Sequence, residues 1–189
     1  MRASESDLLI LPGLGGGDAD IWFRRWAQKL SSARIVPQSD FDHPVQSTWV
    51  AAVRAEAAAA TRPIVFIGYG LGALTAARLA TGGHAATAAD GSPAALFLVA
   101  PPAPDVVRAN ARVDPAFAEP IGKLARPTVL VASRNDPDCA YEDAAAYAET
   151  WGAQLADAGE SGRLDSASGH GPWPEGLMRL AHFLTSVTR

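Results

Sequence analysis

Ile64-Val65-Phe66-Ile67-Gly68-Tyr69-Gly70-Leu71-Gly72 is the stretch on which the fold turns. Its first four residues are β-branched or aromatic and read as a buried strand. Glycine then recurs at every second position, and the residues beyond carry a helical pattern to about Leu79, before Gly82-Gly83 stop it. A strand that feeds a helix through so short a connection imposes backbone dihedrals that are costly for a residue with a side chain. Glycine adopts them readily. Gly70 sits at the centre of that turn, and the small neighbours Gly68 and Gly72 let the helix approach the sheet.

Working outward, the same alternation repeats. Leu8 to Leu11 is a continuous apolar run ended by Pro12-Gly13, as expected of a buried parallel strand. A glycine-rich loop, Gly13 to Gly17, leads to a helix from about Asp20 to Leu30, with Trp22 and Trp26 on one face. A short strand near Arg34 to Val36 precedes the polar segment Pro37 to Pro44 and a helix from about Gln46 to Ala60. Further strands are expected at Leu96 to Ala100, Thr128 to Ala132 and, least regular in composition, Ala153 to Ala158. Helices follow at about Cys139 to Trp151 and Glu175 to Ser186. Residues 84 to 94 read as a loop, and Pro104 to Pro120 as short helical turns. Strands alternating with helices predict an α/β fold: one domain over residues 1–189, an open parallel sheet with helices on both faces.

The 16 Lys and Arg against 20 Asp and Glu give a formal charge of -4, with no basic run to attract a nucleic-acid backbone or an anionic membrane. The first apolar run is too short for a signal core or a membrane span, so the expected location is the cytoplasm. One cysteine, Cys139, excludes an internal disulfide and a multi-cysteine metal site. A dinucleotide fingerprint begun at Gly13 needs glycine at Asp18, and one begun at Gly15 needs it at Asp20. No phosphate-binding loop is present, and no cofactor is expected. Asp18, Asp20, Asp40 and Asp42 lack a ligand pattern and read as turn and cap residues, so no metal is expected either.

Five tracts together carry a resemblance. They are Leu11-Pro12-Gly13-Leu14, Asp40-Phe41-Asp42-His43-Pro44, Ile67-Gly68-Tyr69-Gly70-Leu71-Gly72, Ser133-Arg134-Asn135-Asp136-Pro137 and Ser168-Gly169-His170-Gly171-Pro172-Trp173-Pro174. In this order they resemble the small serine-hydrolase family of α/β-hydrolases, of the retinoblastoma-binding-protein-9-like kind, from about Leu8 to the C-terminus. The third tract resembles that fold's nucleophile elbow. The resemblance implies a compact α/β-hydrolase-like sheet and a triad in the chain order serine, aspartate, histidine. Asp136 matches the acid and His170 the base, while Gly70 stands where the serine is expected. The oxyanion-hole amides would be those of Leu71 and Leu14.

The resemblance therefore implies action on a small ester, thioester or amide, with the nucleophile either lost in nature or replaced in this chain. Two further readings stand beside it. One is a noncatalytic module that binds a small ester-, amide- or carboxylate-like ligand, or a protein, in the retained cleft. The other is slow hydrolysis by a water that His170 and Asp136 activate. Trp173, three residues after His170, is expected near the site, whereas the other tryptophans read as core. His43 is expected to serve a structural hydrogen bond, and His84 and His182 have no motif around them. Ser133 and Ser168 lack the elbow setting.

Overall fold

The computed structural model describes residues 1–81 and 93–187. Among them, six strands form one parallel sheet: β1 (Asp7–Leu11), β2 (Ala33–Ile35), β3 (Ile64–Tyr69), β4 (Ala95–Val99), β5 (Thr128–Ala132) and β6 (Gln154–Asp157). The helices are α1 (Trp22–Lys29), α2 (Gln46–Ala58), α3 (Leu71–Leu79), α4 (Pro104–Ala109), α5 (Tyr141–Trp151) and α6 (Pro174–Ser186). Every expected strand is present within two residues at each end. The fourth strand stops at Val99 because Ala100 turns to φ 46°, outside strand geometry. Within Pro104 to Pro120 the structure has the short helix α4 and a 3₁₀ turn at Pro115–Ala118. The loop expected at residues 84 to 94, and His84 with it, lies almost wholly outside the described residues.

Strand residues alternate between two cores. Leu9, Leu11, Phe66, Leu98 and Leu130 face the side covered by α2, α3 and α5, where Trp49, Leu74 and Trp151 close over them. Leu8, Ile10, Val65, Ile67 and Phe97 face the other side, under Trp22 and Trp26 of α1 and Leu180 and Phe183 of α6. Burial on both faces explains the near-continuous apolar runs of β1, β3, β4 and β5.

The sheet order is β2-β1-β3-β4-β5-β6. The chain leaves β1 toward one edge and returns to build the other from β3, so the connections after β1 and β3 diverge. A crevice opens at the carboxyl ends of those two strands. The amino ends are fixed by a different device. Asp7, 5% exposed, accepts Nε (3.0 Å) and Nη2 (2.6 Å) of Arg62 on one oxygen and the Thr61 and Arg62 amides on the other. This joins the first residue of β1 to the approach to β3.

Burial alone would push the Asp7 carboxyl up. The hydrogen bonds from Arg62 and the two amides more than offset it and hold the group below the ordinary carboxylate range. A depressed folded pKa means that the contribution is complete above the unfolded value, about 4. It is lost as pH falls through the folded value. Asp7→Ala is expected to lower the unfolding free energy by about 2–3 kcal/mol at neutral pH. Urea denaturation across pH should show the variant losing less stability than the parent between about pH 5 and 2.

Candidate active site

The turn between β3 and α3 is a single residue. Tyr69 ends the strand, Leu71 opens the helix, and Gly70 between them has φ 57° and ψ -122°. Its N–H donates to Val99 O of β4 (3.0 Å) and its carbonyl accepts from Ala73 N (3.0 Å), so the elbow is tied both to the sheet and to its own helix. The flanking glycines are forced by proximity. A Cβ on Gly68 would lie 2.6 Å from Ala73 Cα, and one on Gly72 would run into the carbonyl oxygens of Leu11 and Pro12. At Gly70 the space is open: a Cβ would meet only Gly13 Cα, at 3.5 Å.

A cavity of about 440 Å³ opens beside this turn, within the range of small-ligand sites. Gly13 and Leu14 from the loop after β1, Gly70 and Leu71 from the elbow, and Asp136 from the loop after β5 all line it. Val106, Val107 and Val113 supply an apolar wall from α4 and the turn beyond it. Leu71 is the first residue of α3 and Leu14 the first of a 3₁₀ turn, so neither amide has an intrahelical acceptor. Among the described residues neither donates to another protein group. Two backbone donors are thus available at the cavity, one at the positive end of a helix.

Asp136 is half-buried, and its Oδ1 accepts the Asp138 amide (2.9 Å). Burial pushes its carboxyl up to about 6. The negative charges of Asp138 and Asp165 add to that rise, while the Asp138 amide and Arg163 oppose it. Arg163 forks onto Asp138 at 2.6 and 3.0 Å, and all three of these charged neighbours line the cavity. Tyr69 also lines it, and burial followed by the same carboxylates raises its phenol above the ordinary range. Sequence reading found Asp136 but not its charged neighbours. Asp138 carried a weak signal as the second half of an Asp-x-Asp turn, and Arg163 carried none.

His170 is placed differently. It is not among the residues lining the cavity, and no hydrogen bond joins it to Asp136 among the described residues. Its Nδ1 is buried without a partner, its amide donates to Asp165 O (2.9 Å), and its ring meets Trp173 edge-on at 6.1 Å. Trp173 is 4% exposed, stacks on Trp26 at 5.8 Å, and belongs to the core under α1 and α6 rather than to the cavity lining. The loop that bears His170 is fastened by long-range bonds. Trp22 Nε1 donates to Leu164 O (2.9 Å), the Tyr69 hydroxyl to Arg163 O (3.2 Å), and the Ser166 hydroxyl to Asp18.

Other candidates also find their places. Ser133 is buried and its Oγ accepts the Ser161 amide (2.9 Å), while the Ser168 hydroxyl donates to Asp165 (2.6 Å). Burial pushes the Cys139 thiol up to about 12, and Cys139 lies outside the cavity. Asp40 accepts the amides of Asp42 and His43, both at 2.8 Å, a turn role. Among the described residues no group of three or more His, Cys, Asp or Glu could hold a metal ion, and no helix is long and apolar enough to cross a membrane.

The parallel sheet, the glycine elbow at the reversal in strand order and the cavity above it define an α/β-hydrolase-like chain. The serine hydrolase family profile matches residues 8–182, and the chain belongs to that family. Among solved structures it is similar to a protein from Pectobacterium atrosepticum described as a YdeN-like hydrolase. The two share 29% identity over 99% of this chain and 95% of that one, with a TM-score of 0.84. The ydeN gene product of B. subtilis has 14% identity, coverage of 96% and 100%, and a TM-score of 0.76. An esterase from Thermogutta terrifontis, solved with propionate bound, has 14% identity, coverage of 97% and 83%, and a TM-score of 0.72. The likeness to these last two is one of fold. No curated protein matches the chain at a significant level.

Gly70 and Gly72 should separate in mutagenesis. Gly70→Ala meets open space and is expected to cost only the positive-φ strain, about 1–2 kcal/mol. Gly72→Ala must push α3 off β1 and is expected to cost about 3 kcal/mol or more. Chemical denaturation of the two variants checks the order.

Proposed function

We propose that this member of the serine hydrolase family binds a small ester-, amide- or carboxylate-like ligand in the elbow cleft without forming an acyl-enzyme. The observation that carries the reading is the elbow itself: its backbone has the strained geometry of a nucleophile turn, and Gly70 contributes no side-chain atom to the cavity. None of the described residues lining that cavity is serine, threonine or cysteine, and the one hydroxyl among them, that of Tyr69, donates to Arg163 O (3.2 Å). What remains favours binding. The Leu14 and Leu71 amides would receive a carbonyl or carboxylate oxygen, and the valine wall would take a short acyl chain.

This binding reading is favoured over water-mediated hydrolysis by the surroundings of His170. A base for water must reach the cavity, and His170 neither lines it nor bonds to Asp136. In the family pattern the two would act together, aspartate fixing the histidine tautomer and histidine taking a proton from serine. Gly70→Ser would restore the hydroxyl on which that pair acts in the family pattern. Its use here requires the His170 ring to turn toward Asp136, and the 3.5 Å clearance to Gly13 Cα leaves room for the hydroxyl itself.

The test compares the unchanged chain with Gly70→Ser on short-chain p-nitrophenyl esters and with a fluorophosphonate probe. The unchanged chain is expected to remain unlabelled and near background turnover while binding butyrate saturably. Gly70→Ser is expected to become labelled and to gain turnover by a factor on the order of 1,000. That gain should be lost in Asp136→Asn and His170→Ala. A folded Gly70→Ser that stays inert and unlabelled overturns the assignment of the elbow.

A further inference from the structure

The loop that supplies the Leu14 amide has an improbable backbone. Gly15, Gly16 and Gly17 hold φ values of 72°, 71° and 71° in succession, a conformation open to glycine but not enforced by it. Three adjacent glycines also have the most conformational freedom to lose, so the turn needs restraints from outside itself. The structure supplies them from two sides.

On one side stands the Asp40–Pro44 tract, which the proposed ligand binding leaves without a role. Phe41 O accepts the Gly15 amide (2.8 Å), and the Phe41 ring lies so close to Gly16 that a Cβ there would sit 3.1 Å from it. Asp40 holds that tract in its turn through the amides of Asp42 and His43, and Trp49 Nε1 donates to Asp40 O (3.0 Å). On the other side is Arg24 of α1. Its Nη2 donates to Gly16 O (2.9 Å) and its Nε to Gly17 O (3.3 Å). Arg24 makes no ion pair among the described residues, unlike its neighbour Arg25, which pairs with Asp20.

We infer that Arg24 and Phe41 are positioning residues that clamp the glycine loop from opposite sides, and so hold the Leu14 amide toward the ligand oxygen. The inference rests on the proposed use of the cleft, since the amide matters only if an oxygen is received there. Arg24 draws the Gly16 and Gly17 carbonyls toward α1, and Phe41 O occupies the Gly15 amide. The Leu14 amide is the donor at the head of the turn that stays free for a ligand. The unpaired guanidinium also polarises the two peptide groups it holds, adding positive potential behind the loop where an oxyanion would develop. Two parallel donors need the planar fork of arginine, which lysine lacks.

The test has two arms. In the unchanged chain, hydrogen exchange of the Gly15 amide, followed by NMR, is expected to accelerate at least tenfold in Arg24→Ala, with α1 amides unaffected. In the Gly70→Ser background, Arg24→Ala is expected to lower kcat for p-nitrophenyl butyrate on the order of 100-fold with KM within about threefold. Arg24→Lys should recover little. Millimolar guanidinium should restore a large part of the loss in Arg24→Ala, and methylammonium should not. Unchanged Gly15 exchange overturns the clamp, and so does accelerated exchange with kcat retained. An inert Gly70→Ser sinks the reading of the cleft instead. The exchange arm then decides alone whether Arg24 restrains the loop.

Discussion

Contact between α3 and the sheet, made without intervening side chains, is the constraint on which the rest depends. One residue separates the last position of β3 from the first of α3. The helix can begin there only if its first turn lies against the backbone of β1 and β3. Gly68 and Gly72 make that approach possible by offering no Cβ, and Gly70 makes the reversal possible by accepting φ 57°. The geometry fixes where the free amides of α3 emerge. They open at the carboxyl ends of β1 and β3, where strand order reverses and the chain leaves a crevice.

The chemistry of the crevice follows from its surroundings. Leu14 and Leu71 line it at helix-start positions whose amides have no protein acceptor among the described residues. Charge comes from loops after β5 and β6, where Asp136, Asp138 and Asp165 crowd a space that Arg163 partly neutralises. Crowding and burial together lift the Asp136 carboxyl toward neutrality. A half-buried carboxyl raised to about 6 stands well above the ordinary carboxylate range.

Much of this was legible in the chain. The strands announced themselves by apolar runs that both cores require, and the elbow by the alternation of glycine from 68 to 72. Gly70, Leu14, Leu71 and Asp136 sit close in sequence to strand ends, so a topology of parallel strands is enough to bring them to one crevice. His170 and Trp173 follow a different logic. Their loop comes well after β6, and its course is set by bonds to residues far away in sequence: Trp22 to Leu164, Tyr69 to Arg163 and Ser166 to Asp18. Local composition carries no record of such partners. Spacing from His170 placed Trp173 near the site, but it does not line the cavity: the stack on Trp26 that draws it into the core involves a helix near the start of the chain. Arg24 was hidden for the same reason: its partners are carbonyl oxygens, and carbonyls leave no mark in a sequence.

The three elbow glycines differ in what the fold asks of them. A serine held at φ 57° carries a backbone strain of about 1–2 kcal/mol, which catalysis requires and folding does not. Glycine removes that strain and adds a smaller amount of chain entropy to the unfolded state, so the strain is only partly offset. Gly68 and Gly72 have no such latitude, because a methyl group at either meets backbone. The elbow thus contains two positions closed by packing and one that packing leaves open. A Cβ at position 70 meets only Gly13 Cα, at 3.5 Å, so the seating of α3 on the sheet does not depend on that residue's lack of a side chain.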